Sequence, residues 1–145
     1  MLMLEELKFT EARGGFSALY SRVFNHYRPV IIRRRQAEEV LVLRVDLQKL
    51  LLEKYRLKPE VIREEDGSVT FALDELELYA NGRTVEEATQ ELVQDLKFYA
   101  QDYLERSQLF INAPNRRAHF PYILRVLLCD SDEEIRSLLE TENAP

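Results

Sequence analysis

The sequence has no tryptophan, 1 cysteine, 2 histidines and only 4 glycines in 145 residues. A lone Cys129 excludes an intrachain disulfide, and the expected compartment is the reducing cytoplasm. His26 and His119 lie far apart, so with Cys129 they give no metal-ligand spacing. His26 reads as a favourable charge near a helix C-terminus, and Cys129 as a small buried residue at the end of an apolar run. No apolar run approaches the roughly 18 residues that a membrane-spanning helix needs. The opening "MLMLEELKF" carries acids where a secretion signal would carry bases, so no such signal is expected. Neither a G-x-S-x-G nucleophile turn nor a phosphate-binding glycine loop occurs. The expectation is therefore a protein that is not an enzyme and needs no cofactor.

What is present is charge, unevenly distributed. Hydrophobic residues make up 46% and charged residues 32%, as in a folded globular protein. The net charge of −6 conceals two halves of opposite sign. Residues 1–57 contain 11 Lys+Arg against 7 Asp+Glu, a balance of +4. Residues 58–145 contain 9 Lys+Arg against 19 Asp+Glu, a balance of −10. A basic front and an acidic back imply two different partners.

The pattern reads as an α+β chain. "ELKFT" (6–10) is a short strand. "FTEARGGFSALYSRV" (9–23) opens a helix running to about Tyr27, with Phe16, Leu19, Tyr20, Val23 and Tyr27 on one apolar face. Gly14 and Gly15 fall in its first turns, where each costs about 1 kcal/mol relative to alanine. Either the helix starts later, at Ser17, or something large approaches that backbone. "RPVIIRRR" (28–35) and "EEVLVLRV" (38–45) read as strands joined at Gln36–Ala37. "DLQKLLLEKY" (46–55) is a helix with Asp46 as N-cap. The first domain, 1–57, is then β-α-β-β-α. A unit this small gains missing core by pairing with a second copy, so a homodimer is expected.

The second domain, 58–145, begins at Lys58–Pro59. Residues 60–73 form a hairpin around Asp66–Gly67, and 75–82 add a third strand. Thr84 with Glu87 has capping-box spacing. Behind it Val85, Ala88, Leu92, Leu96, Tyr99 and Tyr103 form one stripe of a helix reaching about Phe110. Residues 119–129 form an apolar helix from about Pro121. Ser131 with Glu134 caps the last one.

Arg13, Arg22, Arg28, Arg33, Arg34 and Arg35 are concentrated in the first domain. Strand alternation puts Arg33 and Arg35 on one side and Arg34 on the other. An arginine fork donates two parallel hydrogen bonds to phosphate or guanine. The alternative is that these arginines pair with acids of the same chain, such as Glu38 and Glu39.

These residues carry a resemblance. "TEAR" at 10–13, "RPVIIRR" at 28–34, "EEVLVL" at 38–43 and "VDLQKLL" at 45–51 resemble the N-terminal domain of the Phd/YefM antitoxins in order, spacing and loop length. The resemblance implies a homodimeric DNA-binding domain that represses its own toxin–antitoxin operon. By position it assigns DNA contact to Thr10, Arg13, Gly14, Gly15, Arg33, Arg34 and Arg35. Gly14–Gly15 replace the polar residues that follow the helix arginine in the family. Arg33 replaces a threonine, and Ala37–Glu38 replace a small basic turn. The acidic second half, with its hairpin, caps and helical stripes, is expected to be folded. Residues 60–92 are similar in part to HicB-like antitoxins. The implied partners are operator DNA and a small, basic toxin protein, and no membrane. The second reading is a dimeric interaction module of the same fold that does not read DNA.

Overall fold

A computed structural model describes residues 3–141. Contacts divide the chain after Leu51 into two compact units. The fold is mixed α+β in both.

The first unit holds β1 (Glu5–Lys8), α1 (Phe9–Gly14), α2 (Phe16–Asn25), β2 (Val30–Arg33), β3 (Glu39–Val42) and most of α3 (Val45–Leu52). Its sheet has the order β1-β2-β3. β1 pairs in parallel with β2, with Lys8 opposite Arg33, and β2 pairs antiparallel with β3. Parallel neighbours require a crossover connection, and α1 and α2 supply it. The strand expected over 6–10 ends at Lys8, and Phe9 and Thr10 are helical. The Lys8 amide donates to the Glu11 carboxylate at 3.1 Å, which closes the first helical turn two residues early.

The single helix expected from TEARGG onward is two helices. Gly15 breaks them apart with φ −121° and ψ 39°. Its amide donates to Glu11 O at 3.0 Å, and its own carbonyl accepts from Leu19 at 3.0 Å. The expected apolar face of α2 is divided as well. Leu19 and Val23 are buried with Ala12 and Val30, backed by Leu7, Ile32 and Val42. Phe16, Tyr20 and Tyr27 point away from this core. His26 caps α2 through its amide, which donates to Arg22 O at 3.2 Å.

The second unit holds β4 (Glu60–Arg63), β5 (Val69–Leu73), β6 (Leu78–Gly82), α4 (Val85–Glu105), α5 (Ser107–Asn112), α6 (Phe120–Leu127) and α7 (Asp132–Leu138). Its strands form an antiparallel meander, β4-β5-β6. The Asp66 carboxylate fixes the hairpin turn by accepting from the Ser68 amide at 2.9 Å and hydroxyl at 2.6 Å. α4 packs along the sheet. Phe71, Leu73 and Ala80 meet Ala88, Leu92, Leu96 and Tyr103, with Ile123 of α6 and Ile135 of α7 closing the core. Val85, expected in the stripe, is exposed. Leu57 is fully buried in this core, and its carbonyl accepts from Glu140 at 2.8 Å.

Two of the three expected caps form; Asp46, the third, instead lies inside α3, which begins at Val45. Thr84 Oγ1 accepts from the Glu87 amide at 3.1 Å, and Ser131 Oγ from the Glu134 amide at 3.2 Å. α6 starts at Phe120 with Pro121 in its first turn. α4 stops at Glu105 rather than reaching Phe110. Ser107 Oγ donates to the carbonyls of Tyr103 and Leu104 at 3.1 and 2.8 Å, competing with the helical ladder. Cys129 is half-buried at the end of the apolar run, its Sγ 3.6 Å from Arg125 O. Among the described residues no helix is long and apolar enough to cross a membrane. No group of three or more His, Cys, Asp and Glu among them is arranged to hold a metal ion.

Candidate nucleic-acid interface

The parallel register of β1 and β2 brings two chain segments to one end of the first sheet. Lys8 stands opposite Arg33, so Phe9–Thr10 and Arg34–Arg35 leave the sheet side by side. The Arg34 guanidinium lies 5.8 Å from the Phe9 ring centroid. Thr10 and Arg13 are exposed on α1. Gly14 and Gly15 follow at its far end, roughly 8 Å along the helix axis from Thr10 at 1.5 Å per residue. A Cβ on Gly14 would meet nothing within 4 Å, and one on Gly15 only Glu11 O at 3.5 Å. Neither glycine has a positive φ. The fold of this chain therefore does not require glycine at either place, and both open onto solvent. No side chain caps the first turn of α2 behind them.

The arginines differ sharply in how far they are engaged. The Arg33 guanidinium pairs with Glu6, lies 3.2 Å from Glu39, and donates to Gln36 O at 2.6 Å. The hydrogen bond to Glu6 raises its already high pKa. Arg34 forks onto Glu38 at 2.9 and 3.5 Å. That bond holds the Glu38 carboxyl below the usual carboxylate range. Arg35 is 3.9 Å from the same carboxylate. Because β2 ends at Arg33, strand alternation does not extend to Arg34 and Arg35. Both belong to the turn and share Glu38. Arg22 is 3.0 Å from Glu5. No ion pair within 4.0 Å involves Arg13 among the described residues.

The expected residues thus fall into two groups on one unit. Thr10, Arg34 and Arg35 follow the paired strand ends Lys8 and Arg33, while Arg13, Gly14 and Gly15 line α1 and its corner. Arg33 is turned into a carboxylate cluster beside them. Pairing with its own acids, the alternative weighed from the sequence, describes Arg33 and Arg34 in this structure.

Sequence reasoning missed two features of the same unit. The first is an exposed aromatic row. The Phe16 and Tyr20 ring centroids are 6.5 Å apart, and those of Tyr20 and Phe24 are 6.1 Å apart. The i, i+4, i+8 spacing of Phe16, Tyr20 and Phe24 is the available signal. The second is Arg44, whose guanidinium lies 4.3 Å from the Phe24 ring and 3.9 Å from the Tyr27 ring. It also donates to Phe24 O at 2.7 Å and forks onto Asp46 at 2.9 and 3.0 Å. Tyr27 has φ 56°, a left-handed conformation that a bulky residue rarely adopts. Arg44 covers its ring there.

Comparison with known proteins places the chain in a class. A family model named PHD-like, described as antitoxin of toxin–antitoxin, RelE/RelB, TA system, matches residues 3–141. The chain belongs to that family of antitoxins. Among solved structures it is similar to a chain from Syntrophomonas wolfei subsp. wolfei, described as the antitoxin part of a proposed toxin/antitoxin system. The two share 33% identity with a TM-score of 0.85, over 96% of this chain and 99% of that one. Comparison with curated proteins finds no match. The match spans both units, so the folded second unit is part of the shared architecture and not an appendage.

Proposed function

We propose that this antitoxin is a homodimeric, DNA-binding repressor of its own type II toxin–antitoxin operon, working in the cytoplasm. The first domain, 1–57, takes the Phd/YefM role of pairing and binding operator DNA. The acidic second domain, 58–145, neutralises a small basic toxin. The observation that carries the DNA reading is the convergence of Thr10, Arg34 and Arg35 at one sheet end, with unpaired Arg13 and an open Gly14–Gly15 corner one short helix away. A phosphate backbone can approach such a corner closely because no Cβ stands in front of it.

The ion pairs on Arg33 and Arg34 favour the second reading, a dimeric module that does not read DNA. Exposed ion pairs of this kind are screened by water and salt and hold their partners weakly. A phosphate can therefore exchange with Glu38 for Arg34. Glu38 and Glu39 then tune affinity without abolishing it. The test is a mobility shift on a short duplex carrying the promoter of this gene. The expected result is binding that weakens steeply with salt and is largely lost in Arg13→Ala. Wild-type protein that shows no shift at low salt would overturn the DNA reading.

A further inference from the structure

The antitoxin reading leaves open which surface of the second unit meets the toxin. α4 offers one. Glu87, Glu91, Asp95, Phe98, Asp102 and Glu105 recur at three- and four-residue intervals and so form one ridge. It lies opposite the stripe that α4 buries against the sheet and α6. Phe98 stands in the middle of it with 74% of its surface exposed, more than any other aromatic side chain described.

Three cations near this ridge are already committed. Lys97 is 3.0 Å from Asp132, Arg136 is 2.5 Å from Glu86, and Arg106 forks onto Asp102 at 3.0 and 2.7 Å. The Glu87 carboxylate accepts from the Arg83 amide at 2.9 Å. Glu91, Asp95 and Glu105 have no ion pair within 4.0 Å among the described residues. Glu91 and Asp95 are also one helical turn apart, where like charges destabilise a helix. Partial burial and the Glu91 charge push the Asp95 carboxyl up. The like charges of Glu91 and Asp95 beside a bare phenyl ring cost the isolated chain some stability.

We propose that this ridge docks the toxin, with Phe98 seated in an apolar socket and Glu91 and Asp95 facing lysine or arginine on its rim. The charge decides the occupant. A second copy in a two-fold contact would bring carboxylates against carboxylates. Nucleic acid would be repelled for the same reason. A basic protein surface is complementary, gains speed of encounter from the charge and buries the aromatic anchor.

The proposal rests on the reading of this chain as a toxin-neutralising antitoxin, and the test separates the two. The probe is the product of the adjacent reading frame, titrated by calorimetry against the full chain. Phe98→Ala is expected to weaken binding about tenfold or more. Glu91→Gln with Asp95→Asn is expected to weaken it and flatten its salt dependence. Tyr79→Ala, which removes an exposed ring from the opposite face of the second sheet, is expected to leave binding unchanged. These side chains are exposed or half-buried, so matched melting curves establish that each variant folds. If wild type binds and the ridge variants bind equally well, or if Tyr79→Ala weakens binding as much as Phe98→Ala, the ridge is the wrong surface. If wild type does not bind at all, the toxin-neutralising reading fails and the ridge proposal with it.

Discussion

At the scale of single residues, the most constrained polar group is His119. It is buried beside Tyr99, whose hydroxyl lies 2.7 Å from His119 Nδ1. Arg116 Nη1 approaches the same hydroxyl at 2.9 Å and can only donate. The Tyr99 oxygen therefore accepts from Arg116, and its own proton is available to Nδ1 in the tautomer that leaves that nitrogen unprotonated. Tyr103 donates to Arg116 O at 3.0 Å and fixes the loop that carries the arginine. Burial first, and then the Arg116 charge, push the His119 pKa below 6.5, with Glu77 opposing. The folded state then holds a proton less tightly than the unfolded chain. The stability from this cluster is fully present above about 6.5 and is lost as pH falls from there through the depressed folded value. Wild type should melt at a lower temperature at pH 5 than at pH 7.5, and His119→Gln should lose part of that difference. Equal pH dependence in the two proteins would remove His119 as the cause. The sequence displayed Tyr99 and Tyr103 as core and His119 as an isolated histidine. Their meeting depends on the turn between α5 and α6, which carries no periodic signal.

At the scale of elements, the glycines show that one residue type serves opposite purposes. At Gly82 a Cβ would lie 2.4 Å from Ala88 N and 2.8 Å from Glu87 C, in the turn that leads β6 into α4. Gly82→Ala is expected to cost on the order of 3 kcal/mol, because backbone must move to make room. At Gly14 the space is empty and φ is not positive. Gly14→Ala is expected to stabilise by about 0.5–1 kcal/mol, through a less flexible unfolded chain. If the Gly14–Gly15 corner admits a DNA backbone, the same substitution weakens DNA affinity while raising stability. Thermal melts paired with a mobility shift read both. A Gly14→Ala protein that is more stable and binds DNA as well as wild type would end the close-approach reading. The α4 stripe was legible because, Val85 apart, it is covered within the same unit by the sheet, α6 and α7, and two caps announced their helices through Thr84 and Ser131. The α2 stripe misled for a physical reason. Periodicity reports that a face leaves water, and not whether the cover comes from the same chain.

At the scale of the whole molecule, that uncovered face becomes an argument about assembly. The first unit buries only small and medium side chains, Ala12, Leu19, Val23 and Val30. It exposes 58% of Phe16 and 59% of Tyr20, which continue through Phe24. Val40 and Leu41 are exposed by 61% and 53%. As successive residues of edge strand β3 they face opposite sides of the sheet, so neither side is closed there. Leu50 and Leu51 of α3 are exposed too. The expectation of a dimer from the size of this unit alone now has named surfaces. A homodimer covering the aromatic row should run as a dimer in light scattering, and its melting temperature should rise with protein concentration. Tyr20→Glu would place a charge within the row without disturbing Leu19 or Val23 inside. It should give a monomer whose melting temperature no longer depends on concentration, and operator affinity should fall because two half-sites are no longer held together. The Phe98 ridge lies on the other unit, so this variant should still bind the toxin. A wild-type protein that remains monomeric at the concentrations used for DNA binding would refute the dimer, and the aromatic row would then need a different partner.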